Sequence, residues 1–174
     1  MRDREDSEVT AFVRARYGSL LRTAFLLCGD RGKAEDLVQT TLAKTVVAWS
    51  RLQRAESIDN YVQRVLVNTF VSSRRRRSWW EQPLGRLMDT AARDEYVTVE
   101  QRDLLRRALD GLPARQRAAV VLRYYEDLSE QDTASALGCS VGTVKSLCSR
   151  GLQALRKQWV AAEAVTDQKV RNYA

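Results

Sequence analysis

Among its 174 residues this chain has no histidine. That removes the commonest general base and the commonest imidazole ligand for a metal. Only three cysteines are present, Cys28, Cys139 and Cys148, with no Cys-x-x-Cys pair among them. Neither a zinc site nor a dithiol redox couple can be written from that set, and Cys139 and Cys148 read as small packing residues. A glycine-rich phosphate loop and a Gly-x-Ser-x-Gly elbow are also missing. No enzymatic chemistry of its own is therefore expected, and no cofactor or metal. Prolines number two, which leaves long stretches free to be helical. No apolar run approaches the ~20 residues of a membrane span. The opening Met1-Arg2-Asp3-Arg4-Glu5-Asp6-Ser7-Glu8 is too charged for a signal peptide. A cytoplasmic protein without membrane insertion is expected.

What is present is positive charge, unevenly placed. The chain carries net +7, which favours a polyanionic partner. Residues 1–50 are close to neutral at +1, residues 51–80 carry +5, residues 81–100 reverse to −3, and the remainder carries +4. A basic block, an acidic connector and a mildly basic block imply two modules and a linker. We place the modules at 8–77 and 98–158, the linker at 78–97, and a flexible tail at 159–174.

Helical periodicity dominates both modules. Phe12, Val13, Tyr17, Leu20, Leu21, Ala24 and Leu27 mark a first helix from about Glu8 to Cys28, broken by Gly29-Asp30-Arg31-Gly32. A second, about Lys33 to Trp49, shows Glu35, Asp36, Gln39, Thr40 and Lys44 on its polar face, and Ser50 to Glu56 reads as a loop. Ser57 caps a third helix to about Arg77, with Ile58, Tyr61, Val62, Val65, Leu66, Thr69 and Phe70 on one stripe. Thr98 and Gln101 form a capping box for a helix of about Val99 to Asp110. Pro113 opens the next, Ala114 to Tyr125, which shows Arg115, Arg117 and Arg123 outward. The expected class is all-α.

The most specific block is Leu128 to Arg150. Ser129 can cap one helix, Gly138 suits a left-handed stop, and Ser140 can cap a second helix. Val144, Leu147 and Gly151/Leu152 form the inner stripe of that second helix. Thr143, Lys145, Ser146, Ser149 and Arg150 form its outer face. This is the spacing of a DNA-reading helix-turn-helix, and hydroxyls with long cations suit base edges and phosphates of the major groove. The third helix adds Arg64 and Asn68 and runs into Arg74-Arg75-Arg76-Arg77, then Trp79-Trp80. Four arginines in a row project all round a helix end, so solvent or a polyanion must receive them. The tryptophans read as core closure rather than base-stacking platforms.

With these blocks in order, the chain resembles bacterial RNA polymerase sigma factors of the extracytoplasmic-function type (group IV), in particular actinobacterial members. The resemblance covers about residues 8–158. Ala34-Glu35-Asp36-Leu37-Val38-Gln39-Thr40 resembles the docking helix for core polymerase, which implies that Asp36, Leu37, Gln39 and Thr40 bind that enzyme through its β and β′ subunits. Tyr61 to Asn68 and the arginines resemble the segment that melts and reads the −10 element, implying contacts from Asn60, Tyr61, Arg64, Asn68, Arg74 and Arg75. The last module resembles the −35 reader, implying contacts from Arg117, Arg123, Thr143, Lys145, Ser146, Ser149 and Arg150. Two small helical domains, sigma regions 2 and 4, follow as the expected architecture, with promoter DNA as a partner and an anti-sigma factor as a further candidate. A stand-alone helix-turn-helix repressor or activator is the alternative, but it leaves residues 8–77 without a purpose. A nucleic-acid-modifying enzyme would need an acid cluster or metal site that is not visible.

Overall fold

The computed structural model describes the backbone of residues 2–55, 57–75 and 99–171, and side chains within 7–53, 57–74 and 103–161. Among the described residues the regular structure is entirely helical. The elements run α1 (Arg2–Cys28), α2 (Arg31–Ala55), α3 (Ile58–Arg75), α4 (Val99–Asp110), α5 (Ala114–Val120), a wide π-type turn (Val121–Tyr125), α6 (Glu130–Leu137) and α7 (Val141–Arg171). The expected acidic linker 78–97, Arg76, Arg77, Trp79 and Trp80 lie outside the described residues.

Helices α1, α2 and α3 pack side by side. Leu20, Ala24 and Leu27 from α1 meet Val38 and Leu42 of α2 and Val62, Leu66 and Phe70 of α3, all buried. Phe12 tilts against Trp49 with ring centroids 5.2 Å apart, within the range of favourable aromatic pairs. The turn between α1 and α2 is shorter than the Gly29–Gly32 break expected from composition. Gly29 takes φ +71°, and Asp30 Oδ1 accepts the Lys33 amide at 2.9 Å, so Arg31 and Gly32 are already helical. Asp30 thus satisfies one of the donors that a helix start leaves open. At its other end α2 runs through the expected loop to Ala55, because Trp49 and Leu52 are buried and hold the extra turns in place.

The second module is a tight knot of short helices around α7. Leu112, Ala118, Val121, Leu122, Ala134, Leu137, Val144 and Cys148 are buried together. Gly151 lies buried where α7 crosses α5, and a Cβ there would sit 2.7 Å from Val120 Cγ2. Helix α7 continues to Arg171, where the tail 159–174 was expected to be flexible. The run Val160-Ala161-Ala162-Glu163-Ala164 contains no helix breaker and three alanines, the residue with the highest helix propensity.

The two modules are not separate bodies in this structure. Helix α6 packs on α3, α5 on α3 and α1, and α4 on α1. The buried apolar side chains form one cluster across both.

The Gly151 contact gives a test with a telling sign. In a helix, Gly→Ala ordinarily stabilises by about 0.5–1 kcal/mol. Gly151→Ala is expected to destabilise by about 1–3 kcal/mol, the usual cost of overpacking. Chemical denaturation measures this, and a gain in stability would contradict the close α5–α7 crossing.

Candidate nucleic-acid and protein interface

The helix-turn-helix is built by local rules. Ser129 accepts the Asp132 amide at 3.0 Å and so caps α6. Gly138 ends α6 at φ 60°, ψ 46°, the left-handed conformation that glycine adopts without a Cβ penalty. Cys139 N then donates to Ala134 O at 3.0 Å, and Arg115 Nη2 donates to Leu137 O at 3.2 Å, so the last carbonyls of α6 are satisfied. Ser140 Oγ accepts the Thr143 amide at 3.2 Å and starts α7. Val144, Cys148 and Gly151 turn inward. Leu147 is half-buried and Leu152 is 38% exposed, so the inner stripe is narrower than its apolar residues suggested.

The outer face is intact. Thr143, Lys145, Ser146, Ser149 and Arg150 are all exposed on consecutive turns of α7. Lys145 Nζ sits 3.5 Å from Glu130 Oε2, a solvent-exposed pair of the kind that contributes little to stability. The lysine is thereby oriented rather than immobilised. An α-helix presenting such residues fits the roughly 12 Å width of a major groove.

Two arginines expected on this DNA face are elsewhere. Arg117 is 0% exposed. Its Nη1 donates to Leu27 O and to Asp110 Oδ1, each at 2.7 Å, and its Nη2 to Asp110 O at 2.7 Å. It therefore has no access to a phosphate in this arrangement, and the reading of Arg117 as a DNA contact is corrected. Burial lowers its affinity for its proton first, the nearby Arg74 charge adds to that, and Asp110 opposes both. Arg123 is half-buried and donates to Leu128 O within the turn before α6, which makes it a brace for the helix-turn-helix. The reason is simple: periodicity marked both arginines as outward from their own helix, but the first module covers Arg117 and the following turn takes up Arg123.

The basic third helix keeps its expected surface. Asn60 and Asn68 are exposed, Tyr61 and Arg64 half-exposed, and the Arg64 guanidinium lies 5.4 Å from the Tyr61 ring centre. Arg74 is exposed and 5.8 Å from the Phe70 ring centre. The side chain of Arg75 lies outside the described residues.

On α2, Asp36 and Gln39 are exposed and Thr40 half-buried, while Leu37 is buried. Leu37 packs in the bundle core, so its expected role as a docking contact is also corrected. One feature went unread: Val47 is 89% exposed. It borders an open groove of about 550 Å³ with Ala43, Lys44, Ala48, Arg51 and Tyr61. The second valine of the pair Val46-Val47, which falls off the helix's apolar stripe, was the available signal.

Comparison with known proteins fits both halves of this geometry. Residues 12–80 match the family model described as sigma-70 region 2, and residues 102–155 the one described as sigma-70, region 4. The chain belongs to the sigma-70 family of RNA polymerase sigma factors. It is 39% identical over 156 residues to the RNA polymerase sigma-E factor of Streptomyces coelicolor, covering 90% of this chain and 88% of that one. To the extracytoplasmic-function sigma factor SigE of Mycolicibacterium smegmatis it is 32% identical, covering 83% of this chain and 58% of that one. Among solved structures it resembles the sigma factor RpoE of Bartonella quintana in complex with the anti-sigma factor NepR. That likeness has a TM-score of 0.70 at 26% identity, over 87% of this chain and 96% of that chain. The chain is thus a sigma factor of the extracytoplasmic-function type, a transcription-initiation factor rather than an enzyme. No helix among the described residues is long and apolar enough to cross a membrane.

The cysteines behave as packing residues. Burial pushes the Cys28 thiol up from 9.0 to about 12 and raises Cys148 as well. Only Cys139 is partly exposed. At pH 8 in native protein, iodoacetamide is expected to label Cys139 at least tenfold faster than Cys28, read by peptide mass spectrometry. Because the Cys28 value is raised in the folded state, its stabilising contribution is complete below pH 9 and is lost as pH climbs from about 9 to about 12. Equal labelling of Cys28 and Cys139 would contradict its burial.

Proposed function

We propose that this sigma factor binds core RNA polymerase, carries it to promoters through the −35 and −10 elements, and assists DNA opening. The observation that supports this best is the exposed α7 face of Thr143, Lys145, Ser146, Ser149 and Arg150, held on a correctly capped helix-turn-helix. In this reading α7 enters the −35 major groove. Lys145 and Arg150 divide between base edges and phosphates, and the hydroxyls supply short polar contacts. Asn60, Tyr61, Arg64, Asn68, Arg74 and Arg75 engage the −10 region, where contacts to the unpaired strand offset the cost of unpairing.

The α2 surface of Asp36, Gln39 and Thr40, extended by Val47, docks on the β and β′ subunits of the core enzyme. An exposed aliphatic residue beside Ala43, Ala48 and Tyr61, with Lys44 and Arg51 nearby, is a reasonable anchor for such an interface. The two modules are assigned as residues 8–77 and 98–158, with 78–97 connecting them and 159–174 as a terminal extension. The cytoplasm, where core polymerase and promoters meet, is the proposed site of action. An anti-sigma factor is a further proposed partner, supported by the likeness to a sigma factor solved with one.

Asp36→Arg is expected to lower core affinity at least tenfold while leaving the fold unchanged, since Asp36 is exposed. Co-purification with core enzyme and circular dichroism measure the two effects. Lys145→Ala with Arg150→Ala is expected to reduce −35-dependent transcription roughly tenfold and to flatten the salt dependence of promoter binding by about two units of log–log slope. Core association should persist. Tight operator binding by the chain without core enzyme would instead indicate a stand-alone regulator.

A further inference from the structure

The outer face of α7 carries two long cations, and the structure treats them differently. Lys145 Nζ lies 3.5 Å from Oε2 of Glu130, in the first turn of α6. Arg150, more than a turn further along the same face, is paired with no carboxylate among the described residues. The face itself offers none: Thr143, Ser146 and Ser149 are its other members, and α7 has no acidic residue in its first turn. The counter-charge is therefore delivered from a neighbouring helix, and to one of the two cations only.

The place of that carboxylate is fixed by the packing around it. Helix α6 packs on α7 and is held at both ends by arginines of the preceding segment. Arg123 donates to Leu128 O just before α6, and Arg115 Nη2 to Leu137 O in its last turn, at 3.2 Å. Glu130 is not needed for the cap, because Ser129 Oγ accepts the Asp132 amide at 3.0 Å and donates to the Asp132 carboxylate at 2.5 Å. The helix dipole favours a carboxylate in this first turn, but it places no demand on reaching α7. Cys148 of α7 registers the same neighbour: burial raises its thiol first, Arg123 opposes this, and Glu130 adds to it.

Lysine is a compact point charge on a flexible stem. Left alone beside a duplex it is drawn to the phosphates, which carry about one charge per 1.7 Å of axis and no sequence information. A neighbouring carboxylate changes that choice. It lowers the net charge that the phosphates attract and biases the stem toward rotamers that keep the ammonium near α6. As water leaves the groove, the attraction within the pair strengthens. At 3.5 Å the contact is an ion pair rather than a tight hydrogen bond. The three ammonium donors therefore stay available for base acceptors such as guanine O6 and N7.

We propose that Glu130 is a positioning residue for promoter specificity: it withholds Lys145 from the phosphates and commits it to a base edge of the −35 element, leaving Arg150 for the backbone. This deepens the promoter reading above and rests on it.

The experiment uses holoenzyme reconstituted with core polymerase and a duplex library with randomised −35 and −10 segments. Templates that yield transcripts are sequenced. Lys145→Ala is expected to flatten base preference at one or two −35 positions. Glu130→Gln keeps the size of the side chain and removes its charge. It should flatten the same positions about fivefold, the low end of what one base contact discriminates. Glu130→Asp keeps the charge at the start of α6 but shortens its reach, and should weaken the same preference. On duplex DNA without a promoter, Glu130→Gln should steepen the log–log salt slope by about one unit, as Lys145 turns to a phosphate. In a Lys145→Ala background it should change neither quantity. Circular dichroism checks that each variant keeps its helices. Full preference in Glu130→Gln or Glu130→Asp, flattening at positions other than those of Lys145→Ala, or a steeper slope that persists without Lys145 would each overturn the assignment. A wild type with no −35 preference would defeat the promoter reading, and the role of Glu130 with it.

Discussion

The carbonyl groups at the end of α1 are the constraint around which this structure is arranged. A helix leaves its last carbonyls without internal partners, and here they face a second module rather than water. Leu27 O receives Arg117, and Gly29 O receives Arg106. Cations at a helix C-terminus are also favoured by the helix dipole. Asp110 ties the two arginines together, and Gly29 is pressed so close to its carboxylate that a Cβ would lie 2.4 Å from Oδ1. Both modules therefore share one polar joint, flanked on the α3 side by Phe70 and on the far side by Glu126. The wide turn at Val121–Tyr125 belongs to the same arrangement. Glu126 N reaches back to Val121 O and Leu128 N to Leu122 O, with Asp127 at φ 52°. That geometry delivers Glu126 to α1 and α3, and a regular helix would aim it differently.

Local devices govern the helix-turn-helix. Its geometry follows from small residues and caps: Ala134 and Gly151 allow close crossings, Gly138 makes the turn, and Ser129 and Ser140 start the helices. Because these devices act within a few residues of each other, the polar face of α7 stays free for a partner whichever way the modules sit. The exposed α7 face and the joint between the modules are thus built from separate groups. Lys145 and Arg150 are exposed on α7, away from the joint at the end of α1, and Arg117 is buried in that joint.

That separation explains which expectations failed. Arg115 and Arg117 are two residues apart and point about 200° apart around a helix, yet both were taken as outward. Arg115 does serve its own module, at Leu137 O. Arg117 points to the one side where another module lies. Leu37 entered the docking set through the resemblance of its helix as a whole, and its burial takes it off that surface. The Ser50–Glu56 stretch looked like a loop because its residues are mostly polar, but buried Leu52 and Trp49 hold residues 50–55 helical. In each case the missing information was a contact between residues distant in the chain.

By its own pattern of residues the chain determined an all-helical body, the caps and stops of the helix-turn-helix, the α7 face and the basic third helix. All of these depend on neighbours within one or two turns, so spacing alone encodes them. Only the tertiary structure decided which arginines meet solvent, that α6 lies on α3, and that Val47 borders an open groove beside Tyr61. A side chain's direction from its own helix is local, but whether water or protein waits there depends on how distant segments pack.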